Sequence, residues 1–154
     1  MNIKILFITL ILSLSGISIS VSEILVPNKE ITAKEIIKIQ LNALMNNDEP
    51  FKDAGIEQVW NLAHPRNQSM TGPFPRFKQM LYDENYSILI NHTSHKIKLI
   101  EEKENINVFA VTILSKENQN YIYIWVVQKV QHGLLKGCWL TTSVSFPKYD
   151  GDSI

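Results

Sequence analysis

The chain has 154 residues, of which 45% are hydrophobic and 19% are charged, and this composition is typical of one soluble globular domain. Fifteen basic and fifteen acidic residues cancel, so no long-range field of one sign favours nucleic acid or anionic lipid as a partner. The single cysteine, Cys138, excludes a disulfide within the chain.

The N-terminal residues 1–20 have the three-part layout of a secretory signal peptide. Lys4 is followed by an apolar run at 5–14 and a run of mostly small residues at 15–20. The apolar run is shorter than the roughly 20 residues that span a bilayer. The sequence therefore predicts cleavage near Ser20 and an exported protein, periplasmic, secreted or lumenal, without membrane contact after cleavage. An uncleaved N-terminal anchor is the alternative.

Three further segments follow the predicted signal peptide. Residues 21–31 contain Pro27 and predict an extended lead-in, and residues 32–147 carry the periodic patterns of a single domain. Residues 148–154 are polar and predict a flexible tail.

A first helix is predicted over residues 32–45. Thr32-Ala33-Lys34-Glu35 fits the capping box, in which the Thr hydroxyl and the Glu carboxylate satisfy amides at a helix start. Apolar residues then recur at intervals of three and four. Gln40 lies on or beside this apolar stripe, where a polar amide must find a partner.

Two shorter helices are predicted next. Asp53 is expected to cap the second helix, which carries Trp60 on its apolar face and is stopped by Pro65. A polar loop is expected over 66–71, before Gly72-Pro73 opens a third helix.

From residue 86 the hydrophobic period shifts towards two, which favours β-strands. Ile97 and Leu99 are expected to point inward from the second of these strands. The last two strands form a long hairpin, and both faces of its first strand are bulky, so each face needs cover. The predicted strands span residues 86–90, 95–101, 108–114, 121–130 and 138–146.

Helices followed by an antiparallel meander predict an α+β fold. The expected architecture is three N-terminal helices packed on one face of a curved antiparallel sheet of four to five strands, in a cone-like arrangement. Three amphipathic helices cover one face only, so the other face either curls into a closing sheet or awaits a partner.

A set of short motifs in this order resembles an uncharacterised domain-of-unknown-function family of small bacterial and plant proteins. The family is similar to the nuclear transport factor two-like superfamily, and the resemblance covers most of residues 32–146. It implies a bent sheet wrapped around helices, often with a pocket, and it implies no activity, because the superfamily contains enzymes and pure binding modules. The early hairpin that the superfamily inserts before its last helix is missing here. The motifs are Ile39-Gln40-Leu41-Asn42-Ala43-Leu44, Asn47-Asp48, Ala54-Gly55-Ile56, Ala63-His64-Pro65, Thr71-Gly72-Pro73, Arg76-Phe77, Asn91-His92 and Gly137-Cys138-Trp139.

His92 and His95 stand three residues apart, a spacing that invites a metal-site interpretation. On a strand the two side chains point to opposite faces, and only a turn would bring both to one metal. A metal site needs further ligands, and no suitably spaced ones are nearby. We therefore interpret these residues as turn or strand-edge histidines and expect neither a metal nor a cofactor.

His64 has two interpretations. Its position before Pro65 favours a side chain that bonds the exposed carbonyls at the end of the second helix. Alternatively His64, or His92, acts as a general base oriented by Asp48 or Asp53. No phosphate-binding loop, dinucleotide fingerprint, zincin helix or serine-hydrolase elbow occurs in the sequence.

Candidate ligand-binding residues are polar or aromatic and are expected to face the space between helices and sheet. Aromatic residues on paired strands also stabilise the sheet itself or a dimer, which is the alternative interpretation. Three glycosylation sequons, at Asn67, Asn85 and Asn91, matter only in a host that glycosylates exported proteins. The candidate ligand-binding residues are Gln40, Trp60, Tyr123, Trp125 and Trp139.

Three hypotheses for the function follow. The first is an exported, non-enzymatic module that binds a small apolar ligand or a protein partner between helices and sheet. The second is a small cofactor-free lyase, isomerase or hydrolase with a His-carboxylate pair in the pocket. The third is a structural homodimer through the exposed sheet face.

Overall fold

The computed structural model of the chain describes residues 23–152. The α+β class is confirmed, with helices first and an antiparallel sheet after them. The described helices are α1 (Ala33–Met45), α2 (Ala54–Asn61), α3 (Pro65–Thr71) and α4 (Phe74–Leu81), followed by a 3-10 turn at Ser87–Leu89. The described strands are β1 (Ser94–Glu102), β2 (Ile106–Leu114), β3 (Gln119–Lys129), β4 (Trp139–Val144) and β5 (Lys148–Asp152). In residues 23–152, no helix is both long enough and apolar enough to span a membrane.

Helix α1 begins where the capping box predicts. The Glu35 amide donates to Thr32 Oγ1 at 3.3 Å, and the Thr32 amide donates to Glu35 Oε2 at 2.8 Å. The apolar stripe of α1 is fully buried against the sheet and α2, through Ile36, Ile37, Leu41 and Leu44.

The prediction of three helices is wrong, because residues 66–71 form α3 and not a loop. Helix α2 already ends at Asn61, and Pro65 occupies the first turn of α3. Proline fits there because its fixed φ suits a helix start and its missing N–H would have had no helical partner. The strand predicted over 86–90 is also wrong, since the Ile90 amide bonds the Ser87 carbonyl at 3.0 Å in a 3-10 turn.

The strands follow the order β1-β2-β3-β4 in an open antiparallel sheet. Phe109 pairs with Trp125 and Val111 with Tyr123, and all four side chains are buried on the face that meets the helices. Pairing of β3 with β4 confirms the predicted hairpin.

Strands β4 and β5 share one edge of β3, because β2 occupies the other edge along almost its whole length. Ser145 joins the two strands: its amide donates to the Ile124 carbonyl at 2.9 Å, and its Oγ accepts from the Ile124 amide at 2.8 Å. Residues 148–152, predicted within a flexible tail, therefore continue the last strand past Pro147.

Strand β1 lies at the edge of the sheet and is only partly covered. Ile97 packs against the core as predicted, whereas Leu99 is 43% exposed. A β-bulge after Leu99 interrupts the pairing with β2. Leu99 pairs with Phe109, and the next pair joins Glu101 to Val108, so one residue of β1 is left without a partner in the pairing. Leu99 still pairs with the buried Phe109 and so faces the same side as Ile97, but its position on the edge strand leaves it exposed.

Helices α1 and α2 approach each other closely at Gly55. A Cβ atom at this position would lie 2.2 Å from the carbonyl oxygen of Ala43 in α1. Only glycine allows this packing. The predicted signal peptide at residues 1–20 lies outside the described residues.

Candidate functional site

A cavity of about 180 Å³ lies between the helices and the inner side of β3 and β4. Its walls are mainly apolar, with Phe77 and Met80 on α4, Leu44 on α1 and Val144 on β4. No Asp, Glu, Lys, Arg or His belongs to the lining found among residues 23–152. Its polar groups come from Gln40, Asn67, Thr71, Thr141, Thr142 and Ser143, together with the Tyr86 hydroxyl and the Trp125 indole N–H.

One wall of the cavity is formed by a buried hydrogen-bond chain that links α1 to the sheet. Trp125 Nε1 donates to Thr141 Oγ1 at 3.0 Å, and this hydroxyl donates to Gln40 Oε1 at 2.6 Å. Gln40 Nε2 donates to the carbonyl of Val59 in α2 at 3.2 Å. The predicted need of Gln40 for a partner is thereby confirmed.

The proton positions in this chain follow from the chemistry of its ends. The indole N–H of Trp125 can only donate, so the Thr141 hydroxyl accepts from it and has its own proton free for Gln40. At the other end, the Val59 carbonyl can only accept, which requires the amide nitrogen of Gln40 to face it. The Val59 carbonyl therefore fixes the orientation of the Gln40 amide, and the Thr141 hydroxyl donates to the amide oxygen in that orientation.

The five predicted ligand-binding residues separate into two groups. Gln40 and Trp125 both line the cavity. The other three lie elsewhere. Trp60 packs against Phe77 with ring centroids 5.0 Å apart, Tyr123 donates its buried hydroxyl to the Asn85 carbonyl at 2.9 Å, and Trp139 lies 5.1 Å from Lys129 Nζ.

Thr141 was missed as a site residue by the sequence reasoning. Thr141 is the first of three consecutive hydroxyl residues in β4, so the sequence does not single it out from Thr142 and Ser143. Its partner Gln40 is 101 residues away in sequence, so no local pattern joins them.

His92 and His95 contact each other directly, because His92 precedes β1 and follows a left-handed residue, Asn91, with φ +53°. His92 Nδ1 lies 2.7 Å from the Leu89 carbonyl and therefore donates to it. His92 Nε2 lies 2.8 Å from His95 Nδ1, so in the neutral pair it accepts from His95. Burial lowers the pKa of both imidazoles.

This arrangement leaves His92 without a free lone pair for a metal. In residues 23–152, no group of three or more His, Cys, Asp or Glu side chains is placed to hold a metal ion. The pair accepts one proton, at Nε2 of His95, and a second proton would set two N–H groups against each other.

His64 caps the start of α3 and not the end of α2, so the predicted contact with α2 carbonyls is wrong. Its Nδ1 accepts from the Arg66 amide at 3.1 Å, while its own amide donates to the Thr141 carbonyl at 2.8 Å. Burial, with a smaller effect of the Arg66 charge, lowers the pKa of His64.

Asp53 precedes α2 as predicted, but its side chain makes no helix-capping hydrogen bond. It points to α4 instead, where it forms an ion pair with Lys78 and accepts a hydrogen bond from the Tyr82 hydroxyl. Burial alone would raise the pKa of Asp53, but Lys78, Tyr82 and Asn47 together hold the pKa below its usual value. The bond to Asp53 raises the pKa of Tyr82 to about 12.

Asn47 completes this second polar cluster, and in the sequence it was noted within the motif set of the family resemblance. Its Oδ1 accepts from the Ile56 amide at 3.1 Å. Its Nδ2 lies 3.0 Å from Asp48 Oδ1 and 3.3 Å from Asp53 Oδ1. The cluster thereby ties the end of α1 to the start of α2.

The predicted catalytic residues do not form His-carboxylate pairs through direct contacts. Across residues 23–152, no hydrogen bond or ion pair joins His64 or His92 to Asp48 or Asp53. Each histidine is instead held by backbone groups or by another histidine.

The outer face of the sheet, opposite the helices, carries apolar side chains. Ile124 is 39% exposed, and Val108, Ile122 and Val126 are partly buried. This face is the one on which the homodimer hypothesis depends.

Comparisons with protein-family models, with curated proteins and with solved structures found no match for this chain.

Proposed function

We propose that this chain is an exported binding module that holds a small, neutral, mostly apolar molecule in the cavity between the helices and the sheet. The observation that carries the proposal is a cavity of about 180 Å³ whose lining, within the described chain, has no charged side chain. Pockets for ligands are mostly apolar with a few placed polar groups, and this one has both features.

The volume limits the size of the ligand. An apolar cavity of about 150 Å³ takes up benzene, so this cavity suits a single ring or a short branched chain. Pockets for drug-sized ligands usually measure about 300–1,000 Å³, so a larger molecule would be buried here only in part and would extend into solvent.

Thermal unfolding of the purified protein with small probes tests the proposal. A ligand that binds only the folded state at about 100 times its dissociation constant adds about 2.7 kcal/mol of stability. We expect toluene, indole or cyclohexanone to raise the melting temperature. If none of a panel of such probes does so, the proposal fails.

A cavity-filling substitution tests whether the probes raise the melting temperature by binding in this cavity. Met80→Trp places a large side chain into the cavity wall and should abolish the response to probes. Met45→Trp is the matched control, because Met45 is also a half-buried helical methionine but is not part of the cavity lining. Equal responses of the two variants would count against binding in this cavity.

Export and family membership form part of this proposal. N-terminal sequencing of protein secreted by its host should find a start near Val21, and a mature protein that begins at Met1 would refute cleavage. Membership of the nuclear transport factor two-like superfamily is supported by the motif set and by helices that precede an antiparallel meander. The sheet is open, so the cone-like closure stays a prediction.

Two alternative functions stay predictions. The enzyme hypothesis lacks a contact between a candidate histidine and a carboxylate within the described chain. The homodimer hypothesis depends on the outer sheet face around Ile124, and analytical ultracentrifugation of the native protein and of Ile124→Lys tests it.

A further inference from the structure

The amide of Gln40 has one more N–H group than its hydrogen bonds use. Gln40 Nε2 carries two protons, and a single contact, with the Val59 carbonyl, accounts for one of them. Among residues 23–152 no second acceptor for Nε2 is found. Gln40 is fully buried and lines the cavity, so the cavity borders the amide that carries this second proton.

The amide cannot turn to relieve this excess. A reversed amide would set its oxygen against the Val59 carbonyl, where two acceptors would face each other without a proton between them. The Val59 carbonyl therefore holds the nitrogen of Gln40 in place.

Buried N–H groups without a partner are rarer in proteins than carbonyl oxygens with a spare lone pair. The unused lone pairs of Thr141 and Gln40 consequently demand a ligand less strongly than the unused N–H does. The lining found in the described part of the chain has no cation to neutralise an anion, and removing an ion from water into such a site is strongly unfavourable.

We infer that the ligand is a neutral molecule with an apolar body and one hydrogen-bond acceptor, such as the oxygen of a ketone, aldehyde, ester or ether, that receives the second N–H of Gln40. This inference rests on the proposed function, because it specifies the ligand class of the same cavity. A hydrocarbon of the same shape should bind more weakly than such an acceptor, and a carboxylate should be excluded.

Acetophenone and α-methylstyrene are suitable probes, because they have the same shape and differ by a carbonyl oxygen in place of a methylene group. The infrared carbonyl stretch of bound acetophenone reports the hydrogen bond directly. We expect it at lower frequency than for acetophenone in hexane. A bound ketone whose stretch matches the hexane value would overturn the inference, even if both probes bind.

Substitution of Gln40 gives a second, independent readout. In Gln40→Leu, the ratio of the two dissociation constants should move about three- to tenfold against the ketone, which is the range of a net hydrogen bond. Gln58→Leu is the matched control. Gln58 is a buried glutamine on α2 that bonds the backbone of Leu25 and does not line this cavity, so its ratio should stay at the native value.

The two proposals fail in different ways. If neither probe binds the native protein and no member of the wider panel does, the proposed function and this inference both fall. If both probes bind but Gln40→Leu and the native protein show the same ratio, only the acceptor inference falls. Where Gln40→Leu does not fold, the carbonyl frequency in the native protein decides.

Discussion

Two buried polar groups of similar size hold the helices of this domain, and they differ in charge and in completeness. The Asn47–Asp53 cluster is charged, and its donors and acceptors are matched by Lys78, Tyr82 and backbone amides. The Gln40–Thr141 chain is neutral and keeps one N–H without a partner beside a cavity. A saturated cluster fixes helix positions, whereas an unsaturated one beside empty space has capacity for a ligand.

The largest effect is expected from Asn47→Ala, which breaks the saturated cluster. The substitution removes the acceptor of the buried Ile56 amide and a donor to Asp53. Unsatisfied buried groups cost about 1–3 kcal/mol each, so we expect the free energy of unfolding to fall by about 3 kcal/mol. Urea denaturation measures it. The neighbouring Asn46→Ala, at an exposed site, should change it by less than about 0.5 kcal/mol.

Thr141→Val breaks the unsaturated chain and should cost about 2 kcal/mol, because it leaves the Trp125 indole N–H buried without an acceptor. Thr142→Val is the control on the same strand. The Thr142 hydroxyl is only partly buried and donates to the Val126 carbonyl at 3.2 Å, so we expect about 0.5 kcal/mol. If urea denaturation shows that both variants lose the same free energy of unfolding, the Thr141 hydroxyl is no more important for stability than the Thr142 hydroxyl.

Tyr82→Phe should cost about 1 kcal/mol. It removes one hydrogen bond from Asp53 but leaves the Lys78 ion pair, and Tyr82 itself is exposed. Tyr149→Phe removes a comparable bond to the exposed Asp152 and should be near neutral. Thermal unfolding of both variants ranks them, and a neutral Tyr82→Phe would show that the cluster does not depend on this hydroxyl.

The smallest effect is expected from mild acid. The pKa values of His64, His92 and His95 are lowered in the folded state, so the unfolded chain binds protons first as the pH falls below about 6.5. Stability is therefore fully present above that pH and declines towards pH 5. Asp53 does not contribute in this window, because its pKa is lowered and its stabilisation is lost only below about pH 4.

Urea denaturation at pH 7 and pH 5 measures the decline, and NMR titration assigns it. The imidazole signals of His92 and His95 should titrate below the value of free histidine. If both imidazoles titrate at the value of free histidine and the stability is the same at pH 7 and pH 5, the His92–His95 pair is not a source of pH dependence.

Local signals in the sequence predicted local structure well. The capping box at Thr32 and Glu35 lies within four residues and gave the start of α1. The start of α3 also had a local signal, a proline in the first helical turn, but Pro65 was interpreted as the end of α2. Residues 88–90 are a short apolar run, and periodicity alone does not separate a strand from a helical turn over such a length.

Contacts between segments that are far apart in the sequence could not be predicted from local patterns. The need of Gln40 for a partner was predictable, but the identity of that partner was not, since Thr141 is on another element. Strand β5 is polar and was expected to be loose, and only the free edge of β3 beyond β4 gives it a place. The cavity likewise depends on side chains from four helices and two strands, which no single pattern displays.

The 101-residue separation between Gln40 and Thr141 has a consequence for how the chain reaches its folded state. Contacts of high sequence separation require large loops to close before they stabilise anything, and this slows folding. The helices are complete by Leu81, and α2 already supplies the Val59 carbonyl to the nitrogen of Gln40, but the amide oxygen of Gln40 has no partner until β4 has been made and has paired with β3. A nascent chain that ends before Trp139 therefore contains the helices and three strands, but it cannot yet form the buried hydrogen bond between Thr141 and Gln40.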